Sequence, residues 1–410
     1  MNNHCYSDSA ALTTVEQLLS TLKNSVKAQT SSETINFEDA MGRVLAADIV
    51  SGVNLPPFAN AAVDGFAFKH SDLKDFPTSL PISATITAGQ APMTLPAHTA
   101  ARIMTGAALP RNVDTVVMQE DVHIHAEQVC IESPVKAGIN CRPAGEDVAV
   151  GQQVLASGAT LSFSAIGILA AMGVESVDVF RPLNVALFSS GDEIVSKDQP
   201  LASGHRYDAN RPMLKALLQK PSYRVEDHGV LPDDLQATQA ALDTAAQSAD
   251  VIITSGGAST GDADFLINAL RETGDIDVWR LALKPGRPFA FGRIADTPVL
   301  CLPGNPVAVG VCALRFVMPF LAALAGGPWR DPVQYSVAAG FTMAKKLGRT
   351  EYVRASLAQT SQGLVVNKHA KQGSGVLMSL VESDGLVVLP SERAAVAIGD
   401  MVFFMPFSQF

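Results

Sequence analysis

Three short segments rich in glycine and in hydroxyl or amide side chains each follow an apolar, strand-like run. They are Ser189-Ser190-Gly191-Asp192-Glu193, the stretch from Thr254 to Asp264 that begins Thr254-Ser255-Gly256-Gly257, and Pro303-Gly304-Asn305-Pro306. Small residues let the backbone approach a ligand closely, and amides exposed at a following helix start favour phosphate. A nucleotide or phosphate site is therefore expected where these loops meet. None continues into Gly-Lys-Ser/Thr, which disfavours a Walker-type kinase or ATPase. The nearby carboxylates Asp192, Glu193, Asp233 and Asp264 offer the oxygen ligands that Mg²⁺ prefers when it bridges to phosphate. Asp264, directly after the longest loop, is the first candidate; helix capping is the alternative for each acid.

Lys284-Pro285-Gly286-Arg287-Pro288 sets two cations three residues apart around a Pro-Gly turn, a rigid basic corner suited to an oxyanion. A second basic group, Lys345, Lys346, Arg349, Arg354, Lys368 and Lys371, reads mostly as a solvated charged face. Asp64, next to a flexible Gly65, and the turn Arg142-Pro143-Ala144-Gly145-Glu146-Asp147 read on their own as loop structure. His123 and His125 share one strand face, without a third ligand to make a metal site.

These groups need a framework to hold them. From Leu183 onward apolar strands alternate with helices: strands at Val185 to Phe188, Arg224 to Val230, Val251 to Ile253 and Val299 to Leu302, helices at Met213 to Leu218, Leu235 to Ala246, Phe265 to Arg271 and after Pro306. That alternation predicts an α/β fold whose central sheet is doubly wound and mostly parallel, with ligands at the carboxyl ends of its strands. Upstream, Thr14 to Val26 has apolar residues at helical spacing behind a Thr cap, and a second helix is expected from near Phe37 to before Ile49. Residues 50 to 146 carry short β-branched runs between Pro, Gly and Asn, the pattern of a mainly β insertion. Four domains are expected: 6–49 plus 147–180 as a helical and mixed N-terminal domain, 50–146 as the inserted β domain, 181–330 as the α/β domain, and 331–410 as a C-terminal β domain.

The chain of 410 residues has 47% hydrophobic and 17% charged residues, ample material for packed cores. A formal net charge of -10 argues against nucleic acid and anionic membranes as partners. An anionic substrate needs a local cationic cleft. The five cysteines form no Cys-x-x-Cys pair, and the polar start Met1 to Cys5 lacks the features of a signal peptide. A reducing, cytoplasmic setting is expected. The apolar run Val307 to Ala325 contains Arg315 and Pro319, and reads as a buried helix in preference to a membrane span.

In order along the chain, these segments resemble the MoeA-type molybdopterin molybdenumtransferases, also seen as the cofactor-finishing domain of gephyrin-like proteins. The resemblance is carried by Pro56-Pro57-Phe58 with Asp64-Gly65, Ile103-Met104-Thr105-Gly106, Val117-Met118-Gln119-Glu120, Gly145-Glu146-Asp147, Ser190-Gly191-Asp192-Glu193, Tyr207-Asp208-Ala209-Asn210, Ser255-Gly256-Gly257, Lys284-Pro285-Gly286, Leu302-Pro303-Gly304-Asn305-Pro306 and Gln372-Gly373-Ser374-Gly375. Each is short; their number, order and spacing are specific, and they span nearly the whole chain. The resemblance implies a homodimer of four-domain subunits, with a MogA-like molybdopterin-binding α/β domain and a barrel-like C-terminal domain. It also implies that adenylylated molybdopterin and molybdate are taken to molybdenum cofactor and AMP, with Mg²⁺. A molybdopterin adenylyltransferase and the receiving molybdoenzymes would be possible partners.

Carried over by motif, Asp64, Asp147 and Glu193 would be essential acids, with Thr105 and Lys284 beside them at the reacting groups. The residue reading and the resemblance together set Arg142, Ser190, Gly191, Asp208, Asn210, Ser255, Gly256, Gly257, Arg287, Pro303, Gly304, Asn305, Pro306, Arg354 and Ser374 against substrate, with Asp264 and Asp233 at the metal. The sequence departs from the family pattern at Ala59, where Asp is frequent, at Ala258 and Thr260 in the glycine loop, at Arg287 in place of Lys, and at Ala308 in place of Ser. Two other activities fit parts of the pattern: a molybdopterin adenylyltransferase, and a gephyrin-like scaffold without catalysis.

Overall fold

The computed structural model of the chain describes residues 12–28, 31–257, 265–361 and 363–410, with the backbone alone at Trp279. Asp264, Ala258, Thr260 and Cys5 lie outside the described residues.

The strand Leu183–Ser190 buries successive side chains on opposite faces: Val185 and Leu187 enter one core, Ala186 and Phe188 another. A strand covered on both sides must read as a continuous apolar run, which is what the sequence has here. It lies second in a six-stranded sheet ordered Tyr223–Leu231, Leu183–Ser190, Val251–Ser255, Thr297–Leu302, Ala290–Ile294 and Gly274–Trp279. The first four are parallel and the last two are added antiparallel. The helix Asn210–Leu217 and the long helical run Pro306–Leu324 pack on the Leu187 face, while Leu235–Ala246 and Phe265–Thr273 pack on the Phe188 face. The doubly wound α/β fold expected from the alternation is present.

The apolar run is a core helix, 94% buried within the protein, with one π-helical turn at Ala313–Val317. Arg315 on that turn is buried and donates to Asp331 at 2.8 Å, which explains how a charge is tolerated there.

Two expectations upstream are corrected. The helix Val15–Ser25 forms with a full capping box at Thr14 and Gln17, but it does not join the unit formed by residues 31–50 and 148–180. Its Val15, Leu18, Leu19 and Leu22 share one core with Leu183, Val185 and Phe320, and Thr13 bridges to Leu281. Amphipathic spacing specifies a buried face; it does not specify the partner. In place of a helix from Phe37 to Ile49 there is only a turn of 3₁₀ helix, Phe37–Asp39. The following backbone groups bond to distant residues instead: Gly42 and Leu45 donate to Leu161 and Ala159, and Arg43 accepts from Leu161. The strand Ser32–Asn36 pairs with Ser176–Phe180, closing this unit over the helix Phe163–Ala171.

Residues between these two halves form a second six-stranded sheet, ordered Thr115–Met118, Gly65–Phe68, Ala100–Ile103, Thr78–Ile86, Gln128–Ile131 and His123–His125. In the C-terminal region the strands Thr350–Thr360, Gly363–Lys368, Tyr335–Ala339, Met401–Pro406 and Gly385–Leu389 pair in sequence, and the last pairs back with the first. This closes a five-stranded barrel. Val353, Val387 and Phe404 fill its interior, whereas Tyr352, Leu386, Val388 and Met405 point outward into the core of the α/β sheet. The short strand Leu283–Lys284 pairs with Thr350 and Glu351, so the two units share backbone as well as side chains.

Candidate active site

The three glycine-bearing loops converge at the carboxyl ends of the parallel strands. Gly256 donates its amide to Leu302 O at 3.1 Å, and a Cβ on Gly304 would lie 3.8 Å from Gly256 Cα. Gly256 has φ of +90°, and a Cβ there would stand 2.4 Å from Ser190 O. Only glycine allows this approach. Asn210 donates to Gly304 O at 2.8 Å, leaving its buried Oδ1 without a partner; the buried Ser255 Oγ is likewise unpaired. Buried polar atoms of this kind carry a desolvation cost that a polar ligand relieves.

Asp208 is a correction. Its Oδ2 accepts from Ser189 at 2.6 Å, and its Oδ1 accepts the amides of Asn210 at 3.0 Å and Arg211 at 3.1 Å. With one oxygen on the helix start and the other on the strand-end Ser189, it positions the loop between them.

Three acids crowd beside the loops. Glu193 folds back over Gly191, with Oε2 2.5 Å from where a Cβ on that glycine would sit. Burial holds the Asp233 carboxyl above the usual range, and the charges of Asp192 and Glu193 add to the effect against a bond from the Asp192 amide. A carboxyl raised by burial and by neighbouring negative charge suits a cation. Among the described residues, no group of three His, Cys, Asp or Glu side chains is close enough to hold a metal by itself. His123 and His125 stand on an exposed strand, with Glu132 3.5 Å from His123.

The basic corner opens onto a cleft of about 350 Å³ between the α/β sheet and the barrel. Lys284, Arg287 and Arg349 line it, together with Pro303, Asn305, Ala308 and the barrel loop Gln372-Gly373-Ser374. Arg287 makes no side-chain hydrogen bond to a described residue. Glu351, only 2% exposed, accepts from Arg349 at 2.9 and 3.0 Å and from Lys284 at 3.4 Å. Sequence reading missed Glu351. Its signal was the spacing: residues 349 and 351 bracket a strand start and share a face. Ala308 brings no hydroxyl to this wall, so the cations and the loop supply its polar groups.

Arg354 is a second correction. It is 1% exposed, and its guanidinium donates to Ser379 Oγ at 3.1 Å, Gly373 O at 3.1 Å and Tyr352 O at 3.4 Å. Burial among neutral partners pulls its pKa down to about 10. It braces the cleft loop from behind, with its guanidinium buried on that loop's far side from solvent. Gln372 extends the brace, accepting from Arg354 N at 3.1 Å and donating to Arg354 O at 2.9 Å. Ser374 O accepts from Val307 N at 3.1 Å, tying the loop to the start of the long helix.

Asp64 and Thr105 meet on the inserted β sheet. Oδ1 of Asp64 accepts both the amide and the hydroxyl of Thr105, each at 2.7 Å. These bonds hold the Asp64 carboxyl below its usual range, helped by Arg102. Gly65 is required next to it, because a Cβ there would lie 1.8 Å from Val117 O. Arg142 pairs across a short ladder with Asn60, and Asp147, exposed, donates its amide to Leu55 O at 2.9 Å. Among the described residues, no hydrogen bond or ion pair links Asp64, Thr105, Arg142 or Asp147 to the basic cleft. None of these four residues lines the basic cleft.

The chain is similar throughout its length to known proteins. Residues 13–173 match the MoeA N-terminal region (domain I and II), residues 186–323 a probable molybdopterin binding domain, and residues 336–407 the MoeA C-terminal region (domain IV). A molybdopterin molybdenumtransferase of Haemophilus influenzae is 37% identical over 398 residues, covering 96% of this chain and 98% of the relative. One from a Nostoc species is 32% identical, covering 98% and 95%. The solved molybdopterin biosynthesis MoeA protein of Pyrococcus horikoshii superposes with a TM-score of 0.83 at 27% identity, covering 97% of this chain and 100% of that one.

Proposed function

The chain belongs to the MoeA-type molybdopterin molybdenumtransferase family, and from that premise we propose that it acts in molybdenum cofactor biosynthesis, inserting molybdate into adenylylated molybdopterin with release of AMP. The observation that carries the reading is the cleft: three cations, Lys284, Arg287 and Arg349, gathered with the strand-end loop at Pro303 and Asn305 in a chain of net charge -10. At about 4 Å a charge pair is worth roughly 4 kcal/mol at an effective dielectric of 20, so local cations outweigh the distant negative field.

In this reading Lys284, Arg287 and Arg349 hold the oxyanion, while Ser190, Ser255, Gly256 and Asn210 take the molybdopterin and nucleotide. Asp233 with Glu193, and Asp264 beyond the described residues, would hold Mg²⁺, and the mutual crowding of the first two with Asp192 fits that role. Bound there, Mg²⁺ would offset the negative charge of the phosphates. Asp64, kept ionised by Thr105, accepts a proton from one dithiolene thiol as a molybdenum–sulfur bond forms and passes it to a molybdate oxygen; with the proton of the second thiol, that oxygen leaves as one water.

The family resemblance, together with a cleft that none of Asp64, Thr105, Arg142 and Asp147 lines in its own chain, leads us to propose a homodimer, with these four residues of one protomer facing the cleft of its partner. Four domains per protomer, with the first helix reassigned to the α/β unit, and a cytoplasmic setting complete the proposal. The test is AMP release by the purified protein from adenylylated molybdopterin, with and without molybdate and Mg²⁺. Stimulation by both is expected; AMP formation indifferent to molybdate would sink the assignment.

A further inference from the structure

We infer that His369, in its imidazolium form, is a positioning residue for the Gln372-Gly373-Ser374 wall of the cleft, acting through Glu382 and the carbonyl of Lys371. The inference rests on the proposed reading of the cleft as an oxyanion site. The ring lies between two oxygen acceptors: Nε2 is 2.7 Å from Glu382 Oε2, and Nδ1 is 3.0 Å from Lys371 O. A neutral imidazole has a single N–H and can satisfy only one of them; the imidazolium satisfies both.

Loss of the Nδ1 proton turns that nitrogen into an acceptor, and the Lys371 amide, 3.1 Å away, is then its partner. The ring's grip thereby moves from the peptide that joins Lys371 to Gln372 to the peptide before it. Gln372 begins the cleft wall, and it is held by Arg354 N and O and by His369 O. The next two residues are tied by Gly373 O to Arg354 and by Ser374 O to Val307 N. The protonation state of one ring therefore decides whether the peptide entering this wall is fixed.

The charged groups that face the ring are Glu382, from the turn after the helix Met378–Val381, and Arg354, from the strand Thr350–Thr360; Lys371 contributes its peptide groups. The Glu382 bond and then the Lys371 carbonyl bond hold the imidazolium above the ordinary histidine range, against burial and the Arg354 charge. The side chain of His369 is 14% exposed, against 53% for Glu382.

The experiment is calorimetric titration of sodium molybdate into the full chain between about pH 6 and about pH 9, where a histidine raised above its usual value gives up its proton. The wild type should lose about tenfold in affinity across that range, and saturating molybdate should move the His369 titration, read from ring ¹⁵N signals, to higher pH. His369→Gln should flatten the profile, and Glu382→Gln, which keeps the ring, should move the inflection to lower pH. Molybdate binding whose pH dependence is unchanged in both variants would overturn this inference alone. A wild-type protein that binds no molybdate at any pH would overturn the cleft reading and the inference with it.

Discussion

Glu351 stands behind Lys284 and Arg349 with one carboxylate oxygen turned to each, joining a cation on the segment that leaves the α/β unit to a cation at the start of a barrel strand. Because the acid is buried and the cations are partly exposed, the pair cannot be scored as a surface ion pair. Glu351→Ala should destabilise the protein by about 2 kcal/mol, between the values typical of exposed and of broken buried pairs. Urea unfolding monitored by circular dichroism measures it; a change near zero would show that the two cations are held by other means.

Asp64→Asn keeps an oxygen for the Thr105 amide and hydroxyl, so the fold should persist. Removing the proton acceptor should cut AMP release by roughly 10²-fold or more. Near-normal turnover by a folded variant would falsify its assigned role.

The depressed Asp64 carboxyl has a further consequence for pH. It stays ionised below the ordinary carboxylate range, and its contribution is lost only as pH falls through the lowered value. Thr105→Val removes the hydroxyl bond, so the acid limb of the rate profile should move to higher pH. An acid limb at the wild-type position would assign it to another group.

Asp233 has the opposite sign. A carboxyl raised in the folded state binds its proton more tightly there than when unfolded, so stability falls as pH rises from the ordinary value through the raised one. At neutral pH the ionised group costs stability that a cation should restore. Adding Mg²⁺ should raise the melting temperature of the wild type and leave Asp233→Asn nearly unmoved; equal shifts in both would argue against Asp233 as a ligand.

Gly65→Ala would drive a methyl group into Val117 O, and neither strand can yield, since both are backbone. A loss of about 3 kcal/mol is expected, the upper part of the range for overpacking. Thermal unfolding checks it, and a melting temperature close to wild type would mean that the sheet re-registers.

The α/β sheet was legible because strands covered on both faces leave continuous apolar runs, as at Val185 to Phe188, and its loops are marked by small residues. Partnership was not. The face of the helix Val15–Ser25 was visible in its spacing, but nothing local says that its mate is Val185 and not the unit over Phe163–Ala171. The stretch from Phe37 to Ile49 was misread because its hydrogen bonds go to Ala159 and Leu161, more than a hundred residues away. Arg354 was read as part of a solvated basic face or as a substrate contact, and it is neither exposed nor solvated. Its burial depends on acceptors at 352, 373 and 379 that only the closed barrel brings together. Asp64 and Thr105 were found by resemblance, and their direct bond supplies the physical reason.

The first helix and the outer wall of the barrel fill the same core, although some 330 residues of chain lie between Leu22 and Tyr352. During synthesis Leu18 and Leu22 leave the ribosome early, and their apolar face has no cover until the strand Leu183–Ser190 has emerged. Tyr352, Leu386 and Met405 complete the packing last. The α/β unit therefore finishes folding only when the barrel closes against it, and a nascent chain leaves the face of this helix without its strand partner until that strand has been made.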